Sequence, residues 1–211
     1  MTPTEKLDAA LAEGVDRIGQ IRILQKPFRL HHVDDQDLST LERHTDPRAA
    51  REIGLYSPEG DYRFTKGELS LRKGWLFELK DIAEVRRTLD YFYPASIGLW
   101  TAHEDGSIRI QNLRDKLGRQ TGMYRHSANV SDAGAQDLVK SLCGPSNKCV
   151  KKILWKLDES TPLDDSEASR FDGILPDAEK SKTIPLVCQE ACNFFVAQAR
   201  KKSKEEFDAK P

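Results

Sequence analysis

Four cysteines, all in the last third of the chain and arranged as two close pairs, constrain this fold more than any other feature. Cys143 and Cys149 have five residues between them, Cys188 and Cys192 have three, and the first 142 residues contain no cysteine. Two close pairs from separate segments are how a chain builds one four-thiolate metal site. We read a single four-cysteine centre here, with an iron–sulfur cluster as the leading occupant.

Charge and hydropathy narrow the classes that surround such a centre. Charged residues are 32% of the 211, yet the net charge is only −1. That balance argues against a nucleic-acid binder, which needs excess positive charge to neutralise phosphates. No apolar run reaches the roughly 18–20 residues that span a bilayer. The opening MTPTEKLDAALAEG is acidic and polar, unlike the basic and then apolar start of a signal peptide. The expectation is a cytoplasmic protein with no membrane contact, where paired cysteines favour metal over disulfide.

Local patterning predicts an α+β fold. Leu7, Leu11, Val15 and Ile18 make a helical stripe capped by Thr4, and QIRILQKPFRLHHV reads as two short strands broken at Pro27. A helix is expected from Asp34 to Arg43, and another opened by Asp46 and Pro47 through Ile53. Trp75–Leu79 reads as a strand, followed by an amphipathic helix with Ile82, Val85, Leu89 and Phe92 on one face and Pro94 as its stop. Ile97–Ala102 and Ser107–Ile110 around Glu104, Asp105 and Gly106 suggest a hairpin. Asn112–Thr121 looks helical up to Gly122. Ser131 caps a helix that delivers Cys143 at its end, where Gly144 and Pro145 break it. Val150–Leu157 carries no decisive pattern, and Asp158–Lys182 reads as a linker. The last helix is expected to start near Cys188, which would put Cys188 and Cys192 on one face, four residues apart.

Spacing alone leaves the occupant open between an iron–sulfur cluster, a zinc ion and unligated or disulfide-bonded thiols. Structural zinc knuckles place two to four residues between cysteines, so the Cys188 pair suits zinc and the Cys143 pair is wide for it. Lys140, Lys148, Lys151 and Lys152 gather near the thiols, which suits a negatively charged cluster and equally suits a solvated face. The cysteine runs of bacterial ferredoxins and radical SAM enzymes are absent. If all four thiols ligate one cluster, no iron stays open to substrate, which favours electron transfer, sensing or structural support.

The segments LGRQTGMYRHSANVSDAGAQDLVKSLCG, CVKKILW and IPLVCQEACNFFVAQARK resemble the iron–sulfur accessory region of multidomain sirohydrochlorin-type class II chelatases. Upstream, FRLHHVDDQDL, DPRAAREIG and LRKGW are similar to the same family, so the likeness runs over roughly residues 25–200. Its most specific parts are Gln120–Arg125 and the run that starts at Cys192. The resemblance implies an N-terminal helix (1–20), a mixed α+β stabilising domain (21–112) and a mainly helical cluster-binding domain (113–211). It also implies that Cys143, Cys149, Cys188 and Cys192 hold a [4Fe-4S] cluster, with zinc as the alternative metal. A chelatase or redox protein is the implied partner. The chain has no room for the tandem α/β chelatase halves and shows no βαβ pattern, so an accessory subunit or a reused domain is expected.

The remaining candidates are weaker. Arg119 and Arg125 flank the Gly122 turn and Lys148 adjoins Cys149, so all three are candidates for contact with the cluster's surroundings. Arg119 and Arg125 could instead meet an anionic ligand such as a tetrapyrrole carboxylate, the basis for a third reading as an enzyme or carrier for a porphyrin-like substrate. A non-redox, zinc-stabilised interaction module is the second. His31 and His32 alternate on a strand and read as solvated or core histidines. No phosphate loop, dinucleotide fingerprint or nucleophile elbow is present, and no catalytic constellation emerges.

Overall fold

A computed structural model describes residues 1–63, 66, 67, 69, 71–143, 149–159 and 182–209. Among these, the chain forms two compact units: residues 1–107 with 182–186, and residues 108–159 with 187–209. Both contain helices and strands, so the α+β class holds. The Gly144 and Pro145 break, Lys148 and nearly all of the expected linker lie outside the described residues.

The first unit is built on a six-stranded sheet. Its strands are β1 (Val15–Ile18), β2 (Ile21–Leu24), β3 (Phe28–His32), β4 (Glu42–His44), β5 (Trp75–Leu79) and β7 (Lys182–Ile184), in the order β4-β5-β3-β2-β1-β7. Pairings are antiparallel from β1 through β2 and β3 to β5, and parallel at both edges, β4 with β5 and β1 with β7. Helices α1 (Pro3–Ala12), α3 (Ile82–Phe92) and α4 (Ser96–Glu104) pack on one another, and α2 (Ala49–Ile53) packs on α3.

Several local expectations shift in this unit. Thr2, not Thr4, caps α1, in a reciprocal box with Glu5, and the helix stops at Ala12. Gly14 then adopts φ +90°, a left-handed turn suited to glycine, and Val15 and Ile18 enter β1 instead of extending the helix. Asp34–Arg43 is not a helix. Asp37 Oδ1 accepts from both the backbone N–H and the hydroxyl of Ser39, a local turn that competes with helical bonding, and the segment ends in β4. Asp34 pairs with Lys73 at 2.7 Å and Asp35 accepts from the Gly74 N–H, so these acids do not cap a helix. The expected hairpin around Asp105 and Gly106 is instead the end of α4, whose Ile97 and Thr101, four residues apart, share a buried face.

Buried aromatics fill the centre of this unit. Trp75 stacks on Phe92 (4.6 Å between centroids, 29°), and Phe77 meets Phe92 edge-on at 5.8 Å. Tyr93 is fully buried, accepts from the Gln20 N–H at 3.0 Å, and burial pushes its hydroxyl up to about 12. Gly19 is required where it stands. Its φ is +53°, and a Cβ there would come within 2.8 Å of the Tyr93 ring and Leu186.

His31 and His32 are both core residues. Burial holds His31 below its ordinary value and takes His32 from 6.5 to about 4, against the opposing pull of Asp34. The His32 ring nitrogens lie 3.1 Å from the Gln20 amide nitrogen and 3.1 Å from the Asp34 N–H, so an added proton would point donor at donor. Between pH 6.5 and 4 the unfolded chain takes up this proton and the native chain does not. Stability therefore falls as pH drops through that window, by up to about 3 kcal/mol, and levels off below it. Urea denaturation at pH 7 and pH 4.5 checks this. His32→Gln is expected to flatten the dependence, and an equal slope in the variant would remove His32 as its source.

The second unit contains α5 (Leu113–Gly118), a 3-10 helix (Gly122–Asn129), α6 (Asp132–Leu142), β6 (Lys152–Ile153), β8 (Val187–Cys188) and α7 (Asn193–Asp208). Strands β6 and β8 pair in parallel. The undecided segment at 150–157 becomes an extended wall that buries Val150, Ile153, Trp155 and Leu157. Its carbonyls at Lys156 and Leu157 accept from Leu113 and Arg114 at the start of α5. Phe195, Val196 and Ala199 of α7 complete the core with Val130, Ala135 and Val139. Glu206 binds the Ser131 backbone N–H (2.8 Å) and hydroxyl (2.6 Å), tying α7 to the start of α6. Gly134 leaves room for that carboxylate, since a Cβ there would overlap it.

Candidate metal centre

Each cysteine sits at the end of an element in the second unit. Cys143 is the C-cap of α6, its N–H donating to Val139 O at 2.9 Å, as the Ser131-capped helix leads one to expect. Cys149 opens the extended wall. Cys188 ends β8, and Cys192 is the N-cap of α7. The helix expected to carry both Cys188 and Cys192 is thus corrected: it begins at Asn193. Register with β6 holds Cys188 opposite Ile153, and the Leu154 N–H donates to Cys188 O at 3.0 Å. Pairing to a strand outweighs the weak local preference for helix over residues 188–192.

The four thiols are nevertheless electrostatic neighbours. Burial pushes the Cys143 thiol far up, and the negative forms of Cys149, Cys188 and Cys192 push it further. Burial takes Cys149 up to about 11, opposed by the Lys151 backbone N–H and ammonium. Burial also raises Cys188, opposed by Lys151 and by a hydrogen bond from Trp155. All four are free thiols; Cys192 is exposed and the others are partly buried, with Cys143 and Cys188 packed on the core. Without a cation, three sulfurs are held protonated. Bound metal would supply the positive charge that lets them give up their protons.

This donor set fits an iron–sulfur cluster. It is all sulfur, comes from two separate segments whose thiolate charges act on one another, and has Lys151 near enough to Cys149 and Cys188 to favour their charged forms. Cys192 lies at the start of the 16-residue α7, whose N-terminal end carries partial positive charge. Among the described residues, no group of three or more His, Cys, Asp or Glu stands at the spacing of a single bound ion.

The other candidates lie elsewhere in the local structure. Arg119 donates to Asp115 O (3.1 Å) and Gln111 Oε1 (3.2 Å), satisfying the end of α5. Arg125 is exposed and lies 3.4 Å from His126 Nε2. Among the described residues, no hydrogen bond or ion pair joins either guanidinium to a cysteine sulfur. His126 lines a separate groove of about 860 Å³ with Asn129, Arg200, Lys204 and Phe207, and none of the cysteines lines it. Trp155, which no sequence pattern marks as part of the site, is buried in the core and its indole N–H lies 3.3 Å from Cys188 Sγ. Nothing local in the sequence signals that contact, which depends on β8 lying beside the 150–157 wall.

Two family models match the chain, meeting close to residue 105. Residues 5–104 match the DR2241 stabilising domain, and residues 105–201 match a 4Fe-4S iron–sulfur cluster binding domain. The fold is shared with DR2241 from Deinococcus radiodurans, a multi-domain protein with structural similarity to chelatases and two additional novel domains. The TM-score is 0.75 at 21% identity, covering 96% of this chain and 41% of that one. The chain thus spans less than half the length of the protein whose fold it shares. No curated protein matches it. Among the described residues, no helix is long and apolar enough to cross a membrane.

Proposed function

We propose that the chain holds one [4Fe-4S] cluster on Cys143, Cys149, Cys188 and Cys192, a reading supported by the match of residues 105–201 to a 4Fe-4S iron–sulfur cluster binding domain. In this reading it serves as the accessory, electron-transfer or sensing partner of a chelatase or redox protein, in the cytoplasm. One observation supports the ligand set: the thiols at the end of α6, the start of the 150–157 wall, the end of β8 and the start of α7 feel one another's charge, although they come from two segments far apart in sequence. The chelatase link rests on the company the fold keeps in DR2241, whose similarity to chelatases belongs to that larger protein.

When bound, the cluster would supply a one-electron store, held by the four thiolates. The chain's own residues would hold it and shape its surroundings. The Lys151 N–H and ammonium and the Trp155 N–H oppose the cost of charge on the sulfurs. The packing of Cys143 and Cys188 on the apolar core limits water there.

Anaerobic purification, a UV–visible spectrum and iron and sulfide analysis test the reading. A broad band near ~400 nm with about four irons and four sulfides per chain is expected. Colourless protein carrying one zinc per chain would replace the proposal with a zinc-stabilised interaction module. A tight spectral change on adding sirohydrochlorin would argue for an enzyme or carrier of a porphyrin-like substrate.

A further inference from the structure

Trp155 is buried, 3% exposed, on the wall that faces β8. Its ring is fixed from one side by Phe195, which meets it edge-on at 5.3 Å and 72°, one turn into the helix that Cys192 caps. The indole carries a single polar atom, a donor with no acceptor capacity, and a buried donor must find a partner. That partner is Cys188 Sγ at 3.3 Å. The free Cys188 thiol in turn donates to Glu190 O at 3.0 Å, a bond that disappears when the sulfur gives up its proton to bind metal. The indole bond does not disappear. It strengthens, because a thiolate is a better acceptor than a thiol.

A hydrogen bond to a ligating sulfur stabilises negative charge there. The reduced centre carries one more electron than the oxidised one and places more of it on the sulfurs, so the bond favours reduction and raises the potential. We propose that Trp155 is a positioning residue that sets the electron affinity of the metal centre, acting through Cys188 by its indole N–H. The proposal rests on the reading of the four thiols as cluster ligands. It assigns a redox role to a residue that otherwise serves as core.

The test uses the full chain loaded anaerobically, with dithionite titration followed by electron paramagnetic resonance. Two variants separate the hydrogen bond from the packing. Trp155→Phe keeps an aromatic ring, and a benzothiophene analogue of tryptophan placed at position 155 alone keeps the indole's shape and loses only the N–H. Both are expected to retain the wild-type iron and sulfide content and to show a midpoint shifted to more negative potential. The analogue decides the matter if Trp155→Phe fails to fold. A loaded analogue with the wild-type midpoint would overturn this proposal alone. A wild-type chain that assembles no four-iron centre would overturn the ligand reading and this proposal with it.

Discussion

Replacing Cys192 by alanine is expected to remove the cluster while leaving the metal-free fold in place. Cys192 is the exposed member of the four, and as N-cap of α7 it makes no side-chain capping hydrogen bond. Alanine there deletes a sulfur without opening a cavity or orphaning a polar group. The metal-free stability should change by less than about 1 kcal/mol. The loaded state loses one of four ligands, and iron and sulfide should fall from about four per chain towards zero, or to a partial cluster that oxygen destroys quickly. Cys143→Ala and Cys188→Ala should abolish loading as well, but they also disturb the core on which those thiols pack, so Cys192→Ala is the cleanest of the set. Metal analysis and urea denaturation of the metal-free protein, run on one preparation, give both numbers. A full iron and sulfide complement in Cys192→Ala would show that the ligand set is wrong.

Phe92→Ala is expected to be strongly destabilising to the sheet unit. Phe92 is fully buried at the end of α3, stacked on Trp75 and edge-on to Phe77. Truncation removes the aromatic ring shared by two neighbours and leaves a cavity beneath a helix that covers the sheet. Loss of a buried phenylalanine costs about 3–5 kcal/mol, a large share of the stability of a domain this size. Phe92→Leu refills most of the volume and should recover more than half of it. Denaturant midpoints followed by far-UV circular dichroism report the difference. A loss below about 1 kcal/mol in Phe92→Ala would mean that α3 and β5 close over the gap.

Where sequence reading and structure agree, the signal is local. The α3 helix follows from the spacing of Val85, Leu89 and Phe92 and the Pro94 stop, and α6 from the Ser131 cap that brings Cys143 to its end. Where they part, the deciding partner is far away in the chain. Val15 and Ile18 continue the helical stripe of α1, yet Ile18 pairs with Ile21 of β2 on one side, and on the other Val15 pairs with Lys182 and Ile18 with Ile184. The Asp105 and Gly106 turn fits a hairpin equally well until α4 packs against α1 and α3. Helix caps and apolar periodicity act within a few residues, whereas strand pairing depends on segments that meet only when the chain has folded.

The metal centre divides in the same way. The sequence by itself singled out the four thiols proposed as ligands, because thiols are scarce and these are confined to two short segments. It also determined that the fold mixes helix and strand, through periodicity and capping. Only the tertiary structure decided how the thiols are presented. Cys188 lies on a strand because β6 offers it hydrogen bonds, Cys192 starts a helix instead of sitting inside one, and Trp155 turns its N–H to Cys188. Ligand identity is a property of side-chain chemistry, which the sequence states outright. Orientation and hydrogen bonding to those ligands are properties of long-range packing, which exists only in the folded chain.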